Sequence, residues 1–143
     1  MRLADYARRL LGLAETVHRW LGALAALDHA RRMRIAGYAE EIAATLARAV
    51  EALERLEGSP RDRKAYGQAL RELGRICGYI ETMVEALEHH LDGRKLVGIK
   101  RRLEQLWPSE IHKSVVSGGK PAHIDRLLSA EGYFRAFADG LRT

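Results

Sequence analysis

Apolar residues recur along the first stretch of the chain at Leu3, Ala7, Leu10, Ala14, Val17, Leu21 and Leu24, spaced alternately by four and three. That is the period of one helix face. Tyr6, Leu13, Trp20 and Leu27 add a second stripe seven apart, which widens the apolar side to what a bundle helix needs. The pattern predicts a helix over about residues 3–27. Continuing the seam would bury Asp28 and Arg31. A new seam starts out of phase at Ile35 and runs through Ala39, Ile42, Leu46, Ala49, Leu53 and Leu56, predicting a second helix over about residues 30–57. No Gly or Pro stands between Leu27 and Arg34. The join is therefore either a tight turn with Asp28 as N-cap or a kinked continuous helix.

The next boundary is marked more strongly. Gly58 is placed to close a helix, Ser59 to cap the next one, Pro60 to take its first position, and Asp62 to act as the capping-box acid. A third helix then carries Tyr66, Ala69, Leu73, Ile76, Ile80, Met83 and Leu87 and ends at Asp92-Gly93. A fourth carries Leu96, Ile99, Leu103 and Leu106 and stops at Trp107-Pro108. Short helices are expected over about residues 109–116, 122–128 and 130–141, with Ser117-Gly118-Gly119-Lys120-Pro121 as a flexible run between the first two. No strand pattern occurs. The expected fold is all-α: a bundle of about four longer helices with a short-helix C-terminal tail, forming one domain over residues 1–143. Within it, residues 1–57 read as a basic N-terminal helical pair and residues 58–143 as the bundle remainder and tail.

Composition narrows the class. No long uncharged apolar run is present, so no membrane span is expected. Acids and arginines interrupt the first apolar pattern, so the start does not read as a secretory signal. The single cysteine, Cys77, leaves no internal disulfide and no zinc site. A virion or the cytoplasm is the expected location. The chain has no Asn and two Gln, and five of its 24 basic residues are Lys. Few heat-labile side chains fit a thermophile; a GC-rich genome gives the same Arg and Ala bias.

Charge is uneven along the chain. Residues 1–34 hold seven Arg against three acids, a balance of +4; residues 35–60 stand at −3, residues 61–93 at −1 and residues 94–143 at +5. Basic ends around an acidic middle point to an anionic partner, or to end-to-middle contact between copies.

The search for catalytic chemistry is empty. The paired Glu-x-x-His motifs of di-iron bundles are missing, as are His-x-x-x-His and His-Glu-x-x-His. The Arg-x(4–6)-His signature of HEPN ribonucleases is missing as well. Ser117-Gly118-Gly119-Lys120 lacks the strand before it and the Ser or Thr after it that a phosphate-binding loop requires. Glu85 and His89 stand one helical turn apart, a common surface pairing. No enzymatic activity, cofactor, metal or small-molecule substrate is expected.

Three features remain. Arg94, Lys95, Lys100, Arg101 and Arg102 fall within nine residues that contain no acid, a spacing suited to straddling phosphates or simply to a solvated helix face. Arg2, Arg8, Arg9, Arg19, Arg31, Arg32 and Arg34 run through the first helix and the join, and guanidinium groups suit bidentate phosphate contact. The same helix carries Gly12, Gly22, Ala23, Ala26 and Ala30 on its polar side, where small residues permit close approach, although Ala is also the best helix former. Finally, Gly67, Gly74 and Gly78 lie on one side of the third helix with Arg71 and Arg75 among them. Each costs about 1 kcal/mol relative to Ala, so a compensating contact is expected: close helix packing, or a phosphate backbone bracketed by the two arginines.

A short, Arg-rich, all-helical chain with a long N-terminal helical pair resembles the major capsid proteins of filamentous archaeal viruses. The resemblance rests on Arg2, Arg8, Arg9, Arg19, Arg31, Arg32 and Arg34 and on the small-residue face beside them. It implies a non-enzymatic structural protein that self-assembles with copies of itself, or with a paralogous subunit, and coats double-stranded DNA. Two alternatives stay open: a small helical subunit of a CRISPR effector complex, and a four-helix membrane-permeabilising or signalling bundle similar to the N-terminal domain of mixed-lineage kinase-like proteins, faintly echoed by Leu13 to Trp20 and Leu103 to Trp107.

Overall fold

A computed structural model describes residues 3–106 and 121–143, and all regular structure within them is helical. In chain order the helices are α1 (Leu3–Arg19), α2 (Leu21–Leu24), α3 (His29–Gly58), α4 (Arg63–Leu87), α5 (Gly93–Leu106) and α6 (Pro121–Arg142). Arg2, the expected short helix at 109–116 and the run 117–120 lie outside the described residues.

The first seam is buried as its period requires: Leu3, Tyr6, Ala7, Leu10, Leu13, Ala14 and Val17 all face the core. The helix does not continue to residue 27, however. Tight three-residue turns interrupt it, with Trp20 N donating to Val17 O at 3.0 Å and Leu27 N to Leu24 O at 3.1 Å. Asp28 then leaves the helical region (ψ 159°), and its carboxylate accepts from Arg31 N at 2.8 Å. The join is thus a capped turn, not a kinked helix.

The α3–α4 boundary corrects the expected capping. Ser59-Pro60-Arg61-Asp62 forms a turn closed by Asp62 N donating to Ser59 O at 3.0 Å, with Pro60 at the turn position its fixed φ favours. Asp62 is itself the N-cap, accepting from Ala65 N at 3.0 Å. Both arrangements use the same residues, and the turn places the stronger acceptor at the cap. The end of α4 moves in the same way. The helix stops at Leu87, and Asp92 caps α5 by accepting from Lys95 N at 2.9 Å, so Asp92-Gly93 opens a helix instead of closing one.

The larger difference is at the C-terminus. The segments expected as two short helices are one continuous helix, α6. Ile124, Leu127, Ala130, Phe134, Phe137, Ala138 and Leu141 form an unbroken buried stripe across Ser129. A Ser inside a helix costs only a few tenths of a kcal/mol, and burial of two Phe outweighs that many times over. So α6 is a bundle helix and not a tail. It packs along both α1 and α3, and α3 also packs along α4. The first two long helices are therefore not the main packing pair, because α6 stands between them.

Registers fix directions. Arg48 meets Glu72, and Arg55 meets Gln68, so α3 and α4 are antiparallel. Cys77 meets Leu106 and Glu88 meets Lys100, so α5 folds back along α4. Arg9 meets Gln105 and Thr16 meets Arg102, so α5 is antiparallel to α1 as well. The result is a four-helix bundle of α1, α6, α3 and α4, with α5 closing the seam between α1 and α4. Buried residues from all five long helices belong to a single cluster. No described helix is long and apolar enough to cross a membrane.

Candidate nucleic-acid interface

The two basic clusters, some 80 residues apart in the chain, meet where α5 lies against α1. Arg9 on α1 donates through Nη1 to the main-chain oxygen of Gln105 at 2.9 Å. Arg102 on α5 donates through Nη1 to Gly12 O at 3.2 Å and to Thr16 Oγ1. These two side chains occupy the seam. Arg8 and Arg19 on α1, and Arg94 and Arg101 on α5, are exposed beside it. Arg94 and Arg101 are two turns apart on one helix, about 10 Å along its axis. Neither makes a hydrogen bond or ion pair among the described residues.

Carboxylates offset part of this charge. Arg8 pairs with Asp5 at 2.9 Å, Lys100 with Glu88 at 3.0 Å and Lys95 more loosely with Asp92 at 4.0 Å. Arg19 donates to Thr16 Oγ1 at 3.2 Å. Glu104 is exposed on α5.

The remaining candidates lie apart from the seam's centre. At the start of α3, Arg31 contacts Asp28 at 3.5 Å and donates to His90 Nε2 at 3.0 Å, which links it to the turn before α5. That bond requires the neutral imidazole with its proton on Nδ1. Arg32 is partly buried, and its Nε has no hydrogen-bond partner among the described residues. Arg34 is exposed. Arg71 and Arg75 are on α4, on another flank. Arg71 is exposed, whereas Arg75 donates to the Tyr79 hydroxyl at 3.1 Å and lies 5.8 Å from that ring's centre. The Tyr79 hydrogen bond, followed by the charges of Tyr79 and Glu72, raises the Arg75 pKa further above its usual value.

The small-residue faces divide. At Gly12 an added Cβ would meet Arg102 Nη1 at 3.9 Å, an ordinary contact that does not itself require a glycine. Among the described residues, a Cβ at Gly67, Gly74 or Gly78 would meet nothing within 4 Å. No described helix supplies the close packing expected to compensate them, because α3 and α5 take the other sides of α4. The tight approach is elsewhere and carried no periodic signal: a Cβ at Gly140 would lie 2.9 Å from Leu21 Cδ1, 3.1 Å from its Cγ and closer still to Cδ2.

Two further features escaped the sequence reading. Glu72 is only 7% exposed, and its carboxylate accepts from Arg48 Nε at 3.2 Å while Arg75 lies 3.9 Å away. Arg48 in turn donates to buried Thr45 at 3.0 Å. A Glu flanking the Leu73 seam was the only available signal. Under α5, the Tyr6 hydroxyl donates to Leu73 O at 3.4 Å, and the Cys77 thiol points at Leu106 O at 3.8 Å. Burial raises the Tyr6 pKa well above its usual value and pushes the Cys77 thiol up to about 11. That leaves Cys77 a poor nucleophile at neutral pH.

The chain does contain a single Glu-x-x-His, from Glu15 to His18, but His18 stacks edge-on against Tyr133, with ring centres 5.4 Å apart. No group of three or more His, Cys, Asp or Glu among the described residues is arranged to hold a metal ion. No family model matches the chain, and no curated protein or solved structure matches it either.

Proposed function

We propose that this chain is a non-enzymatic nucleic-acid-binding module that engages the phosphate backbone along the α1–α5 seam. The observation that carries the proposal is convergence: Arg8, Arg9 and Arg19 from one end of the chain stand beside Arg94, Arg101 and Arg102 from the other. Arginines without carboxylate partners, two turns apart on one ridge, are suited to bridging phosphates. Arg71 lies on a different flank and is a secondary contact in this reading.

Coating of double-stranded DNA by many copies is the specific form of this function that we favour. It requires contact between copies in addition to contact with DNA. Among the described residues the exposed large apolar side chains are Val97 on α5, 58% exposed, and Leu128 and Tyr133 on α6, 43% and 38% exposed; the α6 pair offers apolar surface away from the arginines of the seam. Tyr133 lines a shallow hollow of about 380 Å³ together with His18, Ser129, Gly132 and Ala136.

The test is titration of a labelled duplex by fluorescence anisotropy across a salt series. Each phosphate contact contributes about 0.9 to the slope of log affinity against log salt. Arg94→Gln with Arg101→Gln should therefore flatten the slope by about 1.8. Between 50 and 200 mM salt, the wild-type affinity should fall about twelvefold more than the variant's. A wild-type slope near zero rules out backbone binding. Negative-stain micrographs with DNA that contain only discrete particles rule out the coat.

A further inference from the structure

The outward face of α4 has no partner among the described helices. α3 and α5 pack on its other sides, and among the described residues nothing stands where a Cβ at Gly67, Gly74 or Gly78 would be. The charges on this face are ordered. Lys64 and Arg71 stand in its first half and Glu81 and Glu85 in its second, and all four are exposed. Their side chains make no hydrogen bond or ion pair among the described residues. At 3.6 residues per turn, Gly67, Arg71, Gly74, Gly78 and Glu85 share an arc of about 60°, with Lys64 and Glu81 just beyond its two edges.

A phosphate backbone fits only half of such a face. Laid along Gly74 and Gly78, it meets Arg71 on one side and two glutamates on the other. A second α4 running the opposite way fits all of it. Turned about a two-fold axis level with Ile76, Gly74 comes level with Gly78 of the partner subunit, Arg71 with the partner's Glu81, and Gly67 with the partner's Glu85. The partner's Glu85 then falls between Lys64 and Arg71, which lie one turn to either side of Gly67. A parallel pair would set each charge against its own kind, so only the antiparallel direction is self-complementary. Glycines at the crossing let two backbones approach more closely than side chains allow, which offsets the helix propensity they give up.

We propose that this face of α4 is the contact between two copies of the chain, an antiparallel pair crossing at Gly74 and Gly78. A two-fold contact closes on itself, so its product is a dimer, and a coat would need a second contact beside it. The proposal does not rest on the nucleic-acid reading and takes from it only Arg71, its secondary contact. At dilutions where dimers dissociate, replacing the glycines by Ala acts on the single chain alone.

The test is analytical ultracentrifugation of the full chain without nucleic acid, over a range of concentrations. The wild type should sediment as a monomer–dimer equilibrium. Gly74→Leu puts a side chain into the crossing and should raise the dimer dissociation constant at least about tenfold, with helicity by circular dichroism unchanged. Arg71→Glu alone sets like charges level at both ends of the contact and should weaken the dimer about tenfold, as should Glu81→Arg alone. Combining the two reversals exchanges the signs and should bring the constant back to within about threefold of the wild type. A wild type that stays monomeric throughout overturns the proposal. So does a dimer indifferent to Gly74→Leu and to both single reversals, which would place the contact elsewhere. A double reversal as weak as the singles overturns the antiparallel register. A monomer whose duplex affinity falls with Gly74→Leu overturns the proposal in favour of nucleic acid on α4.

Discussion

Glycine to alanine substitutions should have opposite effects at two places in this bundle. Gly67, Gly74 and Gly78 are inside α4, and among the described residues a Cβ there meets nothing within 4 Å. Each substitution removes backbone freedom from the unfolded chain and adds helix propensity, a gain of about 0.5–1 kcal/mol. The three together should stabilise by about 1.5–3 kcal/mol, which for a chain of this size raises Tm by about 5–10 °C. Gly140 is the same residue type in the same kind of element, but Leu21 occupies the place of its Cβ. Leu21 is partly buried and has to swing aside, and such overpacking costs about 1–3 kcal/mol. Two residues from a helix end, the propensity gain is smaller than this cost, so Gly140→Ala should lose about 1 kcal/mol net. Urea unfolding followed by circular dichroism measures both. A destabilised Gly78→Ala, or a stabilised Gly140→Ala, would refute the reasoning. The triple variant also tests what approaches α4. If a nucleic-acid backbone lies over the glycines, duplex affinity should fall even as stability rises.

Three other outcomes follow from particular contacts. Cys77 has a folded pKa of about 11, above its ordinary value near 9. The unfolded thiol therefore ionises first, and stability should fall as pH rises through that interval, by up to about 3 kcal/mol; thermal melts of Cys77→Ala should lack the loss between pH 9 and 10, and keep the part above pH 10 that the raised Tyr6 hydroxyl contributes. Glu72→Ala leaves Arg48 without its carboxylate and should destabilise by about 1–2 kcal/mol, with Glu72→Gln milder because its amide oxygen still accepts; equal losses in denaturant titrations would contradict that account. Asp62→Ala should cost about 1 kcal/mol as a true N-cap, and Ser59→Ala much less; the reverse order in unfolding measurements would move the cap back to Ser59.

Much of the fold was legible because helix burial has a period. Leu3 through Val17, and Ile35 through Leu56, are buried where the alternation of threes and fours put them. Boundaries were harder, because Ser59-Pro60-Arg61-Asp62 satisfies two local grammars, a helix start and a turn followed by a cap. The continuity of α6 was missed because Ser129 looks like punctuation when read locally. Packing against α1 and α3 overrides so small a local preference. The basic residues were all visible in the sequence, but their juxtaposition was not. Which helix lies beside α1 is a tertiary fact, and the bond from Arg9 to a main-chain oxygen 96 residues away has no side-chain pattern to announce it. The same limit hid Gly140, whose tight neighbour is Leu21.

The layout of the bundle also sets an order of assembly. Contacts across the α3–α4 hairpin join residues 13 and 24 positions apart. Those that seat α6 on α3 and α5 on α1 span 102 and 96. Closing the longer loops costs about 1 kcal/mol more entropy, and that cost is met before any of their contacts reward it. The hairpin can form on its own timescale, whereas α6 has to find a surface built from α1 and α3, at the far end of the chain. α3, which touches α4 on one side and α6 on the other, is therefore the template: it folds against its neighbour in sequence first and then offers the opposite face as the landing site for the last helix.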